Sequence, residues 1–244
     1  MNILSIGNSF SQDAQRYLHQ IAAAAGVEVN CFNLYIGGCS LARHYRNMLS
    51  GDREYMLEMN GQSTGFKVSL QEALLNREWD VVTLQQASPS SFNYDTWQPY
   101  LTELTSYVHY CVPKAKLAIH QTWAYEDGSA RLLEVAGYES RTAMFADVRN
   151  AYAQGADAMD ADFVIPSGEV FEELVKDGVW NIHRDTFHAS RGVGRYALGL
   201  TWLRALTGKS AEGNTFADFD QPVSPEEMAK AQKWADEVCI RYGL

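Results

Sequence analysis

Ser9, Asp185 and His188 are, by residue type, the nucleophile, orienting carboxylate and base that hydrolysis of an acyl bond requires. A serine hydroxyl is a weak nucleophile at neutral pH, so a neighbouring base must take its proton. His188 is the candidate base. Asp185, three residues earlier, is short enough to reach back to the imidazole if the loop between them curls as a turn. The charge developing on the attacked carbonyl oxygen needs hydrogen-bond donors, each contributing on the order of 3 kcal/mol when preorganised. Candidates are the backbone N–H groups of Ser9 and Gly38 and a side-chain amide from Gln85 or Gln86. Trp123, Tyr125 and Phe187 are candidates to line the cleft.

Each segment taken alone has a plainer explanation. Gly7-Asn8-Ser9 can be a strand-to-helix turn with a capping serine, Asp-x-x-His a solvated loop, and Gly37-Gly38 a simple turn. Gln85-Gln86 can cap the next element, while Trp123 and Tyr125 are by default core or rim aromatics. What favours chemistry is that these segments follow predicted strands, whose carboxyl ends share one crevice in an open α/β sheet.

The elements that must position them follow from periodicity. Asn2 to Ile6 reads as a buried strand ending in Gly7-Asn8, where Gly supplies unusual backbone angles and Asn tolerates them. Asp13 to Ala25 has helical spacing with Gly26 as its stop, and Val27 to Tyr35 is strand-like, giving a β-α-β unit. Tyr55 to Val68, broken by Asn60-Gly61, suggests a small inserted hairpin before a helix at Ser69 to Asn76. Strands at Trp79 to Leu84, Lys116 to His120 and Asp162 to Ile165 alternate with helices at Tyr100 to Tyr110, Thr142 to Gly155 and Ser167 to Lys176. Helices at Arg195 to Leu206 and Ser224 to Tyr242 complete the chain, the latter opened by a cap, a first-turn proline and two glutamates. Five strands alternating with helices predict a doubly wound α/β sheet in one domain over residues 1–244.

Thirty acidic against twenty basic residues leave a formal charge of −10 in a chain of 244. Such a surface repels a phosphate backbone or an anionic bilayer, so neither nucleic acid nor membrane is an expected partner. A neutral or dispersed substrate is the easier expectation. Cys31, Cys39, Cys111 and Cys239 lack the spacing of a zinc site or redox pair and are expected to be buried free thiols, so no metal and no cofactor is called for. Cys39 would be reactive only if its thiolate were stabilised. No charged n-region and apolar h-region precede the first strand, which gives a cytoplasmic expectation, or a secreted one if a leader has been removed.

At these residues the chain resembles the SGNH, or GDSL-like, hydrolase superfamily, whose blocks are a Ser in an N-terminal G-D-S turn, a Gly, an Asn and a C-terminal D-x-x-H. Within it the chain resembles the GNSFS-type bacterial proteins grouped under a domain of unknown function, DUF4886. The similar segments are Ile6 to Ser11, Asn33 to Ser40, Trp79 to Gln86, Thr122 to Tyr125 and Arg184 to His188. The resemblance implies a flavodoxin-like three-layer α/β/α sandwich with a mainly parallel five-stranded sheet and esterase chemistry without a cofactor. It implies Ser9 as nucleophile, His188 as base, Asp185 as its partner and Gly38 as an oxyanion donor. Asn8 replaces the usual Asp, and Gln85-Gln86 stands where the G-x-N-D block is absent. Acetylesterase-like relatives that act on sugars also use a Gln there. The expectation is therefore a serine esterase removing a small acyl group, most simply acetyl, from a carbohydrate-like alcohol. Open beside it are a degenerate hydrolase that binds a glycan or acylated ligand without turnover, and a thioesterase or lysophospholipase.

Overall fold

The computed structural model describes all of residues 1–244. The chain runs β1 (Asn2–Gly7), α1 (Ser9–Gln15), α2 (Leu18–Ala24), β2 (Asn30–Tyr35), α3 (Leu41–Ser50), β3 (Tyr55–Met59), β4 (Gln62–Val68) and α4 (Leu70–Leu75). It continues through β5 (Val81–Leu84), α5 (Tyr100–Cys111), β6 (Lys116–His120), α6 (Arg141–Ala158), β7 (Phe163–Ile165), α7 (Ser167–Lys176), α8 (Val193–Thr207) and α9 (Pro225–Arg241). A π-helical turn spans Arg131–Ala136.

The sheet order is β4-β3-β2-β1-β5-β6-β7. β1 lies parallel to both β2 and β5, and β6 and β7 extend the parallel run. Such strands are covered on both faces, which is why β1 reads as an almost unbroken apolar stretch. Ile3 enters the core beneath α1, α2, α7, α8 and α9, whereas Leu4 and Ile6 enter the core beneath α3, α4, α5 and α6. The result is a three-layer α/β/α sandwich. Because β1 sends the chain to β2 on one side and receives β5 on the other, the carboxyl end of β1 is a topological switch point where the flanking loops part.

The sheet has seven strands rather than five. The two additions are the hairpin β3–β4, which does not stand apart from the domain but pairs antiparallel with β2, Phe32 opposite Met59 and Tyr35 opposite Met56. Its turn residues Asn60 and Gly61 have φ of 50° and 77°, the left-handed pair that a two-residue hairpin turn demands. The helix expected over Asp13 to Ala25 is instead two pieces. Asn8 caps the first four residues earlier than expected, and the break falls at Arg16 and Tyr17, whose side chains reach the distant Asp220 and the Arg191 carbonyl. No helix is long and apolar enough to cross a membrane.

Candidate active site

The turn after β1 is built by three neighbouring side chains. Asn8 Oδ1 accepts the Phe10 N–H at 2.9 Å, and Ser11 Oγ accepts the Asn8 N–H at 3.0 Å, a reciprocal cap that starts α1 at Ser9. Gly7 is required for close approach rather than for an unusual dihedral, since a Cβ there would stand 2.0 Å from Ser11 Oγ. Beneath the turn, Asn33 Nδ2 donates to Glu58 Oε2 at 2.8 Å, and Glu58 also takes the Gln12 amide, so the hairpin braces the start of α1.

At the other end of the chain, Thr186 takes a φ of 71°, uncommon for a β-branched residue, and thereby folds Asp185 back onto His188. Asp185 accepts twice, from the His188 N–H at 2.9 Å and from Nδ1 at 2.8 Å. Burial raises the Asp185 pKa, but the hydrogen bonds from the His188 ring and backbone outweigh it and hold the carboxyl below its ordinary value. With Nδ1–H committed to Asp185, Nε2 is left as the acceptor for the Ser9 hydroxyl, 2.8 Å away. The loop is pinned by Trp123 Nε1 donating to the Phe187 carbonyl at 2.7 Å and by Glu126 N–H donating to the Thr186 carbonyl at 2.8 Å. Arg184 ties it to α1 through Asp13, at 2.8 and 2.9 Å.

Ser9, Gly38, Phe187 and His188 share one crevice of about 350 Å³, together with Tyr35 and Ser88. Gly38 takes a φ of 61°, and its N–H has no partner within the chain. The Ser9 N–H opens α1 and so has no acceptor in a preceding helical turn. A larger hollow of about 1030 Å³ lies at the other end of the sheet, against Met1, Trp79 and Leu206, and neither a serine nor a histidine lines it.

Four expected residues do not face the crevice. Gln85 Nε2 donates to Asn8 Oδ1 at 2.8 Å, and its Oε1 accepts from His120 Nδ1 at 2.7 Å. Gln86 Oε1 accepts the Leu41 and Ala87 N–H groups, both at 2.9 Å, and Nε2 turns to the Thr96 carbonyl at 3.3 Å. Both carboxamides are thus spent inside the fold, where a buried amide must find partners. Trp123 is fully buried with its ring stacked 4.2 Å from that of Phe10, and Tyr125 is buried with its hydroxyl donating to Ser88 Oγ at 3.1 Å. Cys39 is no nucleophile either, because burial pushes its thiol up to about 12. Cys111 is only half-buried, unlike the other three thiols.

Gln12, Tyr35, Ser88, Pro89, Arg131 and Arg184 line the crevice without having been singled out as site residues. Tyr35 lies inside the Asn33 to Ser40 segment, and Arg184 is the first residue of the block that carries Asp185 and His188. Arg131 opens the π-helical turn and stands 3.8 Å over the Phe187 ring.

A family model described as a domain of unknown function, DUF4886, matches residues 2–236, and the chain belongs to that family. A DUF4886 family protein from Bacteroides uniformis is 30% identical, with 98% of this chain and 95% of that one aligned and a TM-score of 0.89. A candidate SGNH hydrolase from Slackia heliotrinireducens is 24% identical over 84% of this chain and 97% of its own, with a TM-score of 0.60. The acetylxylan esterase Axe2 from Geobacillus stearothermophilus is 14% identical over 88% and 94%, with a TM-score of 0.53. These last two share the fold. No curated protein matches the chain.

Proposed function

We propose that this DUF4886 chain is a serine esterase that removes a small acyl group, acetyl in the simplest case, from a carbohydrate-like alcohol. The observation that carries it is the unbroken line from Asp185 Oδ2 through the His188 ring to Ser9 Oγ, each step 2.8 Å, opening on a crevice. Ser9 attacks the ester carbonyl as His188 takes its proton, and the oxyanion is held by the Ser9 and Gly38 N–H groups. His188 then returns the proton to the departing alcohol, leaving an acyl-enzyme. Water, activated by the same imidazole, releases the acid and restores the serine.

The size of the crevice supports a small acyl group, since about 350 Å³ is near the lower bound of ordinary ligand pockets. The fold shared with an acetylxylan esterase supports the sugar. Hydrolysis of 4-nitrophenyl acetate and of an acetylated sugar by the parent, abolished in Ser9→Ala, is the expected result. A chain-length series is expected to favour acetate, and a preference for long acyl chains or thioesters would replace this reading with a lysophospholipase or thioesterase. One observation favours a binding module instead. With Gln85 and Gln86 both engaged elsewhere, the oxyanion receives no amide from either. Glycan binding without turnover, equal in parent and Ser9→Ala, is the outcome on which that second reading stands.

A further inference from the structure

The crevice has a charge that the chain as a whole does not. Acidic residues outnumber basic ones thirty to twenty, yet none of the thirteen residues lining the crevice is Asp or Glu, and two are arginines. Arg184 is ion-paired, its Nη1 donating to Asp13 and to the Ala189 carbonyl. Arg131 is not. It stands in no salt bridge with a carboxylate, and its guanidinium rests over the face of Phe187, 5.6 Å from the centre of the Tyr125 ring, whose hydroxyl is its one polar side-chain neighbour. Stacking on an aromatic ring fixes the plane of a guanidinium while leaving its edge N–H donors free for a ligand.

Its place relative to the ester follows from the base. Phe187 packs against the His188 ring with centroids 3.9 Å apart, so Arg131, Phe187 and His188 form one wall. His188 gives its proton to the leaving oxygen, so the alcohol portion of the ester lies along this wall and the oxyanion faces Gly38. Resting on the esterase reading above, we propose that Arg131 is the binding point for a carboxylate on that alcohol, so that the preferred substrate is an acyl ester of an acidic sugar. A guanidinium edge pairs with a carboxylate through two parallel hydrogen bonds, which a neutral hydroxymethyl group cannot accept.

The test compares an O-acetylated methyl glucuronoside with the matching O-acetylated methyl glucoside, which differ only in a carboxylate against a hydroxymethyl. For the parent, kcat/KM is expected to favour the acid by about tenfold, the ratio a single partly solvated charged pair supplies. In Arg131→Gln the preference falls to near unity, and in Arg131→Lys part of it survives. Equal rates for the two sugars in the parent, or a preference that persists in Arg131→Gln, overturn the proposal. So does a carboxylate preference confined to the acyl side, read from 4-nitrophenyl hemisuccinate against 4-nitrophenyl butyrate. Calorimetric binding of the unacetylated methyl glucuronoside and methyl glucoside separates this site from the chemistry. If no ester is turned over, tighter binding of the acid that is lost in Arg131→Gln still supports the site, and equal binding refutes it.

Discussion

The carboxamide of Gln85 joins the buried imidazole of His120 to the residue that caps the Ser9 helix, accepting from His120 Nδ1 at 2.7 Å and donating to Asn8 Oδ1 at 2.8 Å. The chain of bonds starts at Ser167 Oγ, 3.1 Å from His120 Nε2, and ends where Asn8 holds the Phe10 N–H and the Cys39 carbonyl. Gln85 thus braces the Asn8 turn and, through it, the Cys39 loop. Gln85→Leu leaves buried partners unpaired and is expected to cost about 1–3 kcal/mol of stability. Its kcat for 4-nitrophenyl acetate is expected to fall by about tenfold or more, with KM little changed, because the Ser9 turn shifts. Unchanged kcat in a destabilised variant would leave Gln85 a purely structural amide.

Asp185→Asn keeps the shape of the loop but offers the His188 ring a different partner, so the imidazole no longer presents Nε2 as acceptor to Ser9. A loss of about 10³–10⁴ in kcat is expected from such a tautomer error. A loss smaller than about tenfold means that the carboxylate does not orient the base.

Thr186 pays for the curl between Asp185 and His188 with a left-handed backbone. Its strain is on the order of 1–3 kcal/mol, against about 0.5–1 kcal/mol of chain entropy for glycine. Thr186→Gly is therefore expected to melt at the same temperature or slightly higher by calorimetry, with activity retained. Destabilisation by more than about 1 kcal/mol contradicts the strain.

Burial lowers the pKa of His120 from 6.5 to about 3, and His44 and His183 are depressed likewise. Between those values the unfolded chain binds protons that the folded chain refuses. Stability is therefore full above about pH 6.5 and declines as the pH falls toward 3, by up to about 1.4 kcal/mol per pH unit for each such histidine. Denaturation at pH 6 and 5 is expected to show a shallower decline for His120→Gln than for the parent, and an equal slope contradicts a neutral His120.

How much of this was legible in the chain depends on whether a feature is local. Ser9 and the Asp185 to His188 block sit beside turns that their own neighbours encode, and the parallel strands announce themselves as buried apolar runs. Ser224, Pro225 and Glu227 likewise mark the start of α9. The glutamines are not legible, because the fate of a carboxamide depends on what lies across the sheet. Only the register of β5 with β6, Leu84 beside Ile119, brings Gln85 to His120. Trp123 and Tyr125 are illegible for the same reason, since a strand-end aromatic faces solvent or core according to the helices above it. α3 carries no clear apolar period although Ser40 caps it and Gly51 ends it, because Leu41 is the sole apolar residue among the three it buries. Arg131 could be found only by its contact with Phe187.

The most direct measurement of the central claim is the mass of the protein quenched during turnover of 4-nitrophenyl acetate, with peptide mapping of the adduct. One acetyl group per chain, on the peptide containing Ser9 and absent from Ser9→Ala, is the result predicted. Acetylation elsewhere with undiminished turnover in Ser9→Ala would contradict it.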